Sequence, residues 1–523
     1  MFDGAEWIRD PVFDGIEVID LFHKADADKP ALSGPRHVHT CFRKVIELPA
    51  SPAKAVLAVT GDDYYKLYMN GAFVVQGPEP AYPSQHPYYL LDVTDALRAG
   101  QNCLAAHAYY QGLLNRVWNS ADNRSGFMLA LDVTFPSGRT ARYVTDATWR
   151  CRRLDAFPED RTIGYQTQFA EDIRMDAIPA GWRSAGFDDS GWDAPLTGRQ
   201  DHVFVEQPTP PLQVRRAEPV LVKDKGDGRF FYDFGTELVG CTRIRLHGPT
   251  GHTIEVRHGE ELLGPDEVRF DMRANCTYQE FPVLSGHDDL IEFYDYRAFR
   301  YIEILNAPAE PEVWVDVRHH PFDAAASRFD ASDDVLARIW ELCKNGVRYG
   351  AQGVFVDCPS REKGQYLGDT LIVSRSHLTL TAAPTLSRKA IADFQASQRI
   401  CPGIMAVAPG SFMQEFTEYS LQWPMLLRNY LWATGDTEFA TRMADAAFPA
   451  FFAYFAEYES DAGLLVGGAG KPILVDWPKN LRDDYDLECS RERENAVVNA
   501  FYYASYRAAA DVLTALGRDA SAC

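Results

Sequence analysis

The chain has 523 residues, of which 46% are hydrophobic and 24% charged, and a formal net charge of −22. At roughly 100–200 residues per domain it is sized for two to four domains, each large enough to bury a core. The acidic excess, without any Lys/Arg-rich run, excludes a nucleic-acid partner and favours a neutral or cationic one.

Met1-Phe-Asp-Gly-Ala-Glu puts acids where an export signal needs a basic start, so a cytoplasmic location is expected. No run of about 18 apolar residues is present, which predicts no membrane span. Ten cysteines lie scattered singly, with no Cys-x-x-Cys and no histidine at metal spacing. They read as reduced thiols, and no metal or other cofactor is expected. His319-His320 reads as a domain junction. The oligomeric state is not legible.

From about residue 36 to 200, short alternating runs such as Val56-Leu-Ala-Val and Tyr65-Lys-Leu-Tyr-Met are separated by turn signals. Asn70-Gly71 is the strongest of these, because both residues tolerate the left-handed backbone of a hairpin turn. An antiparallel β-sandwich over 1–205 is predicted, with Trp182 and Trp192 packing over its edge. Gln207-Pro-Thr-Pro-Pro-Leu212 is too stiff and donor-poor for a sheet and marks a boundary. A second sandwich over 206–321 follows from the period-two runs Thr242-Arg-Ile-Arg-Leu and Arg300-Tyr-Ile-Glu-Ile-Leu.

After Phe322 the period changes to 3.6. Ser332 with Asp333 and Asp334 offers a helix start, and Leu336, Ile339, Trp340, Cys343 and Val347 then share a face. Further helices are predicted at 383–398, 418–433, 437–458 and 494–516, with Gly517 as a stop. Pro424 and Pro449 count against two of them, since an interior proline removes a donor.

The run Val354 to Asp369 stands apart. An apolar stretch breaks at Pro359 into a segment with three carboxylates, Asp357, Glu362 and Asp369, beside Arg361, Gly364 and Tyr366. It reads as a pocket wall or, equally, as a surface turn whose acids face water.

The segment Asp357-Cys-Pro-Ser-Arg-Glu362 to Leu367-Gly-Asp369, with the order of modules around it, resembles the bacterial α-L-rhamnosidases of glycoside hydrolase family 78. Tyr65 to Gly71 and Gly186-Phe-Asp-Asp-Ser-Gly-Trp192 are similar to that family's accessory jelly-roll domain, and Tyr232-Asp-Phe-Gly235, His258-Gly-Glu260 and Phe299-Arg-Tyr-Ile-Glu303 to its concanavalin-like sandwich. The resemblance implies an (α/α)6 barrel over 322–523 and an exo-acting, inverting glycosidase that removes terminal α-L-rhamnose. It places Glu362 as the general acid. It also implies that Asp357, Arg361 and Asp369 bind the sugar and that Tyr366 packs on its apolar face. Glu418 and the pair Asp476-Trp477 resemble further pocket residues.

A glycosidase needs a second carboxylate to activate water. The family's base lies far downstream, and the roughly 200 residues after Pro321 fall short of the nearer 300 that twelve helices of about 12 residues and their loops require. An incomplete barrel of seven or eight helices is therefore expected, most simply from a truncated chain. Glu415, Glu418, Asp476, Asp483 and Asp484 are the alternative second carboxylates. Two competing readings stay open: the same barrel acting on another sugar, and a non-hydrolytic carbohydrate-binding protein.

Overall fold

The computed structural model describes residues 1–26, 34–117, 121–273, 275–474 and 493–520. The first unit is a sandwich. Its seven-stranded sheet runs in the order Leu196–Gly198, Trp7–Arg9, Gly126–Thr134, Lys54–Asp62, His86–Asp92, Phe204–Glu206, with Thr140–Val144 paired to Gly126–Thr134. The facing sheet runs Arg150–Arg153, Val38–Leu48, Gly100–Tyr110, Tyr64–Met69, Ala72–Gly77.

Alternation along these strands sends Leu57, Val59, Leu129 and Leu131 inward against Phe42, Leu67 and Leu104, all at most 1% exposed. Burial of each such side chain is worth about 1.5–3 kcal/mol. The turn between Tyr64–Met69 and Ala72–Gly77 is the predicted one, with Asn70 at φ 51° and Gly71 at φ 85°. Trp182 is buried in a cluster shared with the second unit, and Trp192 packs against that cluster. One pairing departs from the antiparallel pattern: Phe204–Glu206, returning from a long excursion, runs parallel to His86–Asp92.

The second unit is antiparallel throughout and is built around the 19-residue strand Arg229–His247. A register irregularity between Asp233 and Leu238 divides it. The amino-terminal half pairs with Leu221–Gly226, the carboxy-terminal half with Glu312–His319 and Asp288–Glu292, and Arg297–Leu305 pairs with the strand on both sides of the irregularity. Phe230, Tyr232, Ile244, Val256, Ile302 and Val315 enclose one core on both sides of the irregularity.

The third unit is helical: α1 Asp334–Gly350, α2 Leu367–Thr381, α3 Thr385–Ala396, α4 Thr417–Ser420, α5 Trp423–Thr434, α6 Thr437–Ala456 and α7 Ala496–Ala515. Asp333 caps α1 by accepting from Val335 N at 2.8 Å. Pro424 stands in the first turn of α5, where its missing N–H has no helical partner to lose. Pro449 lies inside α6, which continues through it.

Val498, Tyr502, Ser505, Ala509 and Val512 form the buried stripe of α7, and Gly517 at φ 68° follows the end of that helix. The stripe on α1 behaves differently. Leu336 and Ile339 are 49% exposed and Cys343 is exposed, while Trp340, stacked on Phe329, and Val347 are half-buried, so the stripe is only partly covered among the described residues. Seven helices are present among those residues, and they do not close a ring.

Candidate active site

The acidic segment enters α2 at the meeting point of all three units. Residues 351–366 are irregular, since Pro359 lacks a donor and Lys363 takes a left-handed φ of 56°. The loop is closed by its own backbone: Asp357 N donates to Gly364 O at 2.9 Å, and Lys363 N to Cys358 O at 3.1 Å. Gly364 N returns a bond to Asp357 Oδ1 at 3.0 Å. This ring fixes Glu362 between two anchored positions.

Glu362 keeps 22% of its side-chain exposure. The Tyr366 hydroxyl donates to Glu362 Oε2 at 2.5 Å, and Arg361 Nε lies 3.3 Å from Oε1. Asp369 sits in the first turn of α2. The carboxyl whose proton is held up towards neutrality is Asp357: burial is the main cause and the Glu362 charge adds to it, against hydrogen bonds from Cys358 and Gly364, bringing it to about 7.

Tyr366 is 9% exposed, packs against Val407 and Ala408, and donates its hydroxyl to Glu362, so it holds the carboxylate. Glu418 is buried in α4 and accepts from Leu474 N, which docks the incoming segment together with Thr417 N donating to Pro472 O. Asp476, Trp477, Asp483 and Asp484 lie outside the described residues. Glu415 accepts from Lys471 Nζ at 2.7 Å and pairs with His23 Nε2 at 2.6 Å. Burial alone would raise its pKa, but these two partners hold it below the ordinary carboxylate value.

Both sandwiches reach the acidic segment. Lys363 is buried and donates to Gln168 of the first unit and, at 2.7 Å, to Tyr296 O of the second. Burial raises the pKa of the Glu260 carboxyl in the second unit, and Ser360 beside it opposes the rise. Gly164 packs so tightly that an added Cβ would strike the Arg361 carbonyl, and Thr167 Oγ1 donates to that oxygen at 3.2 Å. Arg116 reaches Tyr366 OH with Nη1 at 3.4 Å.

Two other clusters have donor sets that suit a metal, and each carries hydrogen bonds of its own. His23 Nδ1 accepts from Ala25 N at 3.2 Å, so Nε2 carries the proton towards Glu415, near Cys401. In the first sandwich Asp62 pairs with His202 at 2.9 Å, and Thr60 bridges His86 and Pro87 O. No helix among the described residues is long and apolar enough to cross a membrane.

Three family models match in tandem. Residues 50–223 match the alpha-L-rhamnosidase N-terminal domain, 223–320 the bacterial alpha-L-rhamnosidase concanavalin-like domain, and 324–523 the bacterial alpha-L-rhamnosidase 6 hairpin glycosidase domain. The chain belongs to the bacterial α-L-rhamnosidase family.

Among relatives of this rhamnosidase-family chain, an alpha-L-rhamnosidase of Streptomyces avermitilis is 25% identical over 497 residues, covering 90% of the chain and 45% of that protein. One from Formosa agariphila is 25% identical over 362 residues, covering 63% and 36%. The chain thus spans less than half the length of these curated relatives. The GH78 family rhamnosidase of Bacillus sp. GL1 superposes with a TM-score of 0.82 at 16% identity, covering 98% of this chain and 74% of that one. The Streptomyces avermitilis alpha-L-rhamnosidase complexed with L-rhamnose gives 0.73 at 23%, covering 94% and 48%. These structures share the fold.

Proposed function

We propose that the chain forms the proton-donating side of a site that releases terminal α-L-rhamnose from a glycoside with inversion, Glu362 being the general acid. The observation that carries this reading is the Glu362 carboxyl itself, partly exposed yet held by Tyr366 on one oxygen and Arg361 on the other. A general acid must reach the leaving oxygen in a fixed orientation, and this clamp supplies one.

Asp357, protonated up to about pH 7, can donate to a sugar oxygen, while Asp369 and the 38%-exposed Arg361 offer an acceptor and a forked donor. Glu418 holds Leu474 N, and the family resemblance assigns Asp476 and Trp477 to the pocket. Rhamnose as the sugar is supported by family membership and by the relative whose structure holds L-rhamnose. Glu415 and Glu418 are engaged with protein groups, so neither is placed to activate water.

A panel of nitrophenyl glycosides tests the proposal. Release of nitrophenol from the α-L-rhamnoside above all others is expected. Preference for another sugar would keep the barrel and change the substrate, and saturable rhamnose binding without release would favour the carbohydrate-binding alternative.

A further inference from the structure

We propose that Arg116, on the loop that follows strand Gly100–Tyr110 of the first sandwich, is a positioning residue for Glu362 and acts through Tyr366. This rests on the reading of Glu362 as the proton donor. Arg116 Nη1 donates to Tyr366 OH at 3.4 Å, and that hydroxyl donates in turn to Glu362 Oε2 at 2.5 Å. A donor behind a hydroxyl polarises it and strengthens the bond it gives, so the guanidinium restrains the ring and sharpens its hold on the carboxyl.

The arrangement is built into the contact between units. The guanidinium carbon lies 5.7 Å from the Tyr366 ring centroid and 5.9 Å from those of Phe412 and Phe416, an aromatic cage for a planar cation. Its own backbone is fixed one residue earlier: Asn115 N donates to Ser411 Oγ at 3.0 Å, the Ser411 hydroxyl donates back to Asn115 O at 3.0 Å, and Asn115 Nδ2 donates to Gln166 O at 2.6 Å.

Glycines make the approach possible on the helical side. A Cβ at Gly410 would lie 3.0 Å from Arg116 Cα, and one at Gly364 3.2 Å from Arg116 O. The accessory sandwich therefore contributes a side chain to the orientation of the acid.

The test separates proton donation from folding. Arg116→Met keeps the length and the apolar contacts but removes the charge and the donors. On an α-L-rhamnoside with a poor leaving group it should lower kcat roughly 10–100-fold, while a dinitrophenyl rhamnoside, which leaves without a proton, should change less than about twofold. Tyr366→Phe should show the same split, and the double variant should be no slower than Tyr366→Phe alone.

Equal losses on both substrates, or losses that multiply in the double variant, would overturn the inference. A second measurement needs no turnover. N-Bromoacetyl rhamnosylamine should esterify Glu362, the carboxylate oxygen forming the new C–O bond as C–Br breaks and bromide leaves, and mass spectrometry of the Glu362 peptide follows it. Arg116→Met should slow this at least about fivefold with an unchanged thermal midpoint, and an unchanged labelling rate would overturn the inference. If wild-type Glu362 is neither labelled nor required for cleavage, its assignment as the acid fails and the role of Arg116 falls with it.

Discussion

Lys363 Nζ donates to the Tyr296 carbonyl at 2.7 Å and stands 3.9 Å from the centroid of the same residue's ring, so the residue next to Glu362 is riveted to the second sandwich. The same ammonium bonds Gln168 of the first. Lys363→Met should cost about 1–3 kcal/mol, because it leaves the Tyr296 and Gln168 acceptors without their donor. It should also speed hydrogen exchange at the Lys363 amide, whose bond to Cys358 O closes the loop. Urea unfolding and exchange mass spectrometry read the two effects. No change in exchange would mean that the loop holds itself.

Asp357 gives a pH signature. Its folded pKa of about 7 lies above the ordinary 3.8, so its contribution to stability is fully present below 3.8 and is lost as pH rises through 7. The loss at pH 8 is on the order of 4 kcal/mol at most. Asp357→Asn keeps an oxygen for Gly364 N and should raise the thermal midpoint by several degrees at pH 8 and hardly at all at pH 4. If the mutation also weakens rhamnose binding, the site keeps its carboxyl at the expense of stability.

His377, in α2 and within 6 Å of the His320, Phe322 and Phe355 rings, has the opposite sign. Burial lowers its pKa from 6.5 to about 4, so its contribution is complete above 6.5 and is lost as pH falls towards 4. His377→Phe should stabilise the protein by about 2 kcal/mol at pH 5 and by little at pH 7.5. Calorimetry at the two pH values decides it, and an equal gain at both would indicate packing alone.

Local signals carried much of the fold into the sequence. Asn70-Gly71 announced its hairpin because backbone sign is a property of two adjacent residues, and Asp333 announced α1 because a cap acts over two. The order of three units and the acidic segment were legible for the same reason. The exposure of Leu336 and Ile339 on α1 was not, since periodicity defines a face without saying what covers it. Arg116 was invisible as well: 250 positions separate it from Tyr366, and nothing in Asn115-Arg116-Val117 points there. The bond from Tyr366 to Glu362 was not legible either, because an aromatic beside an acid fits a sugar platform and a carboxylate clamp equally well until the partner of its hydroxyl is known.

The most direct measurement is cleavage by Glu362→Gln of an α-L-rhamnoside with a poor leaving group, set beside the dinitrophenyl rhamnoside and a thermal melt. Glutamine keeps the shape and the Tyr366 bond but cannot give up a proton. Loss of at least about a hundredfold on the first substrate, a much smaller loss on the second and an unchanged midpoint are predicted. Near-normal cleavage of the poor-leaving-group rhamnoside by this variant, with the wild type active, would contradict the assignment of Glu362.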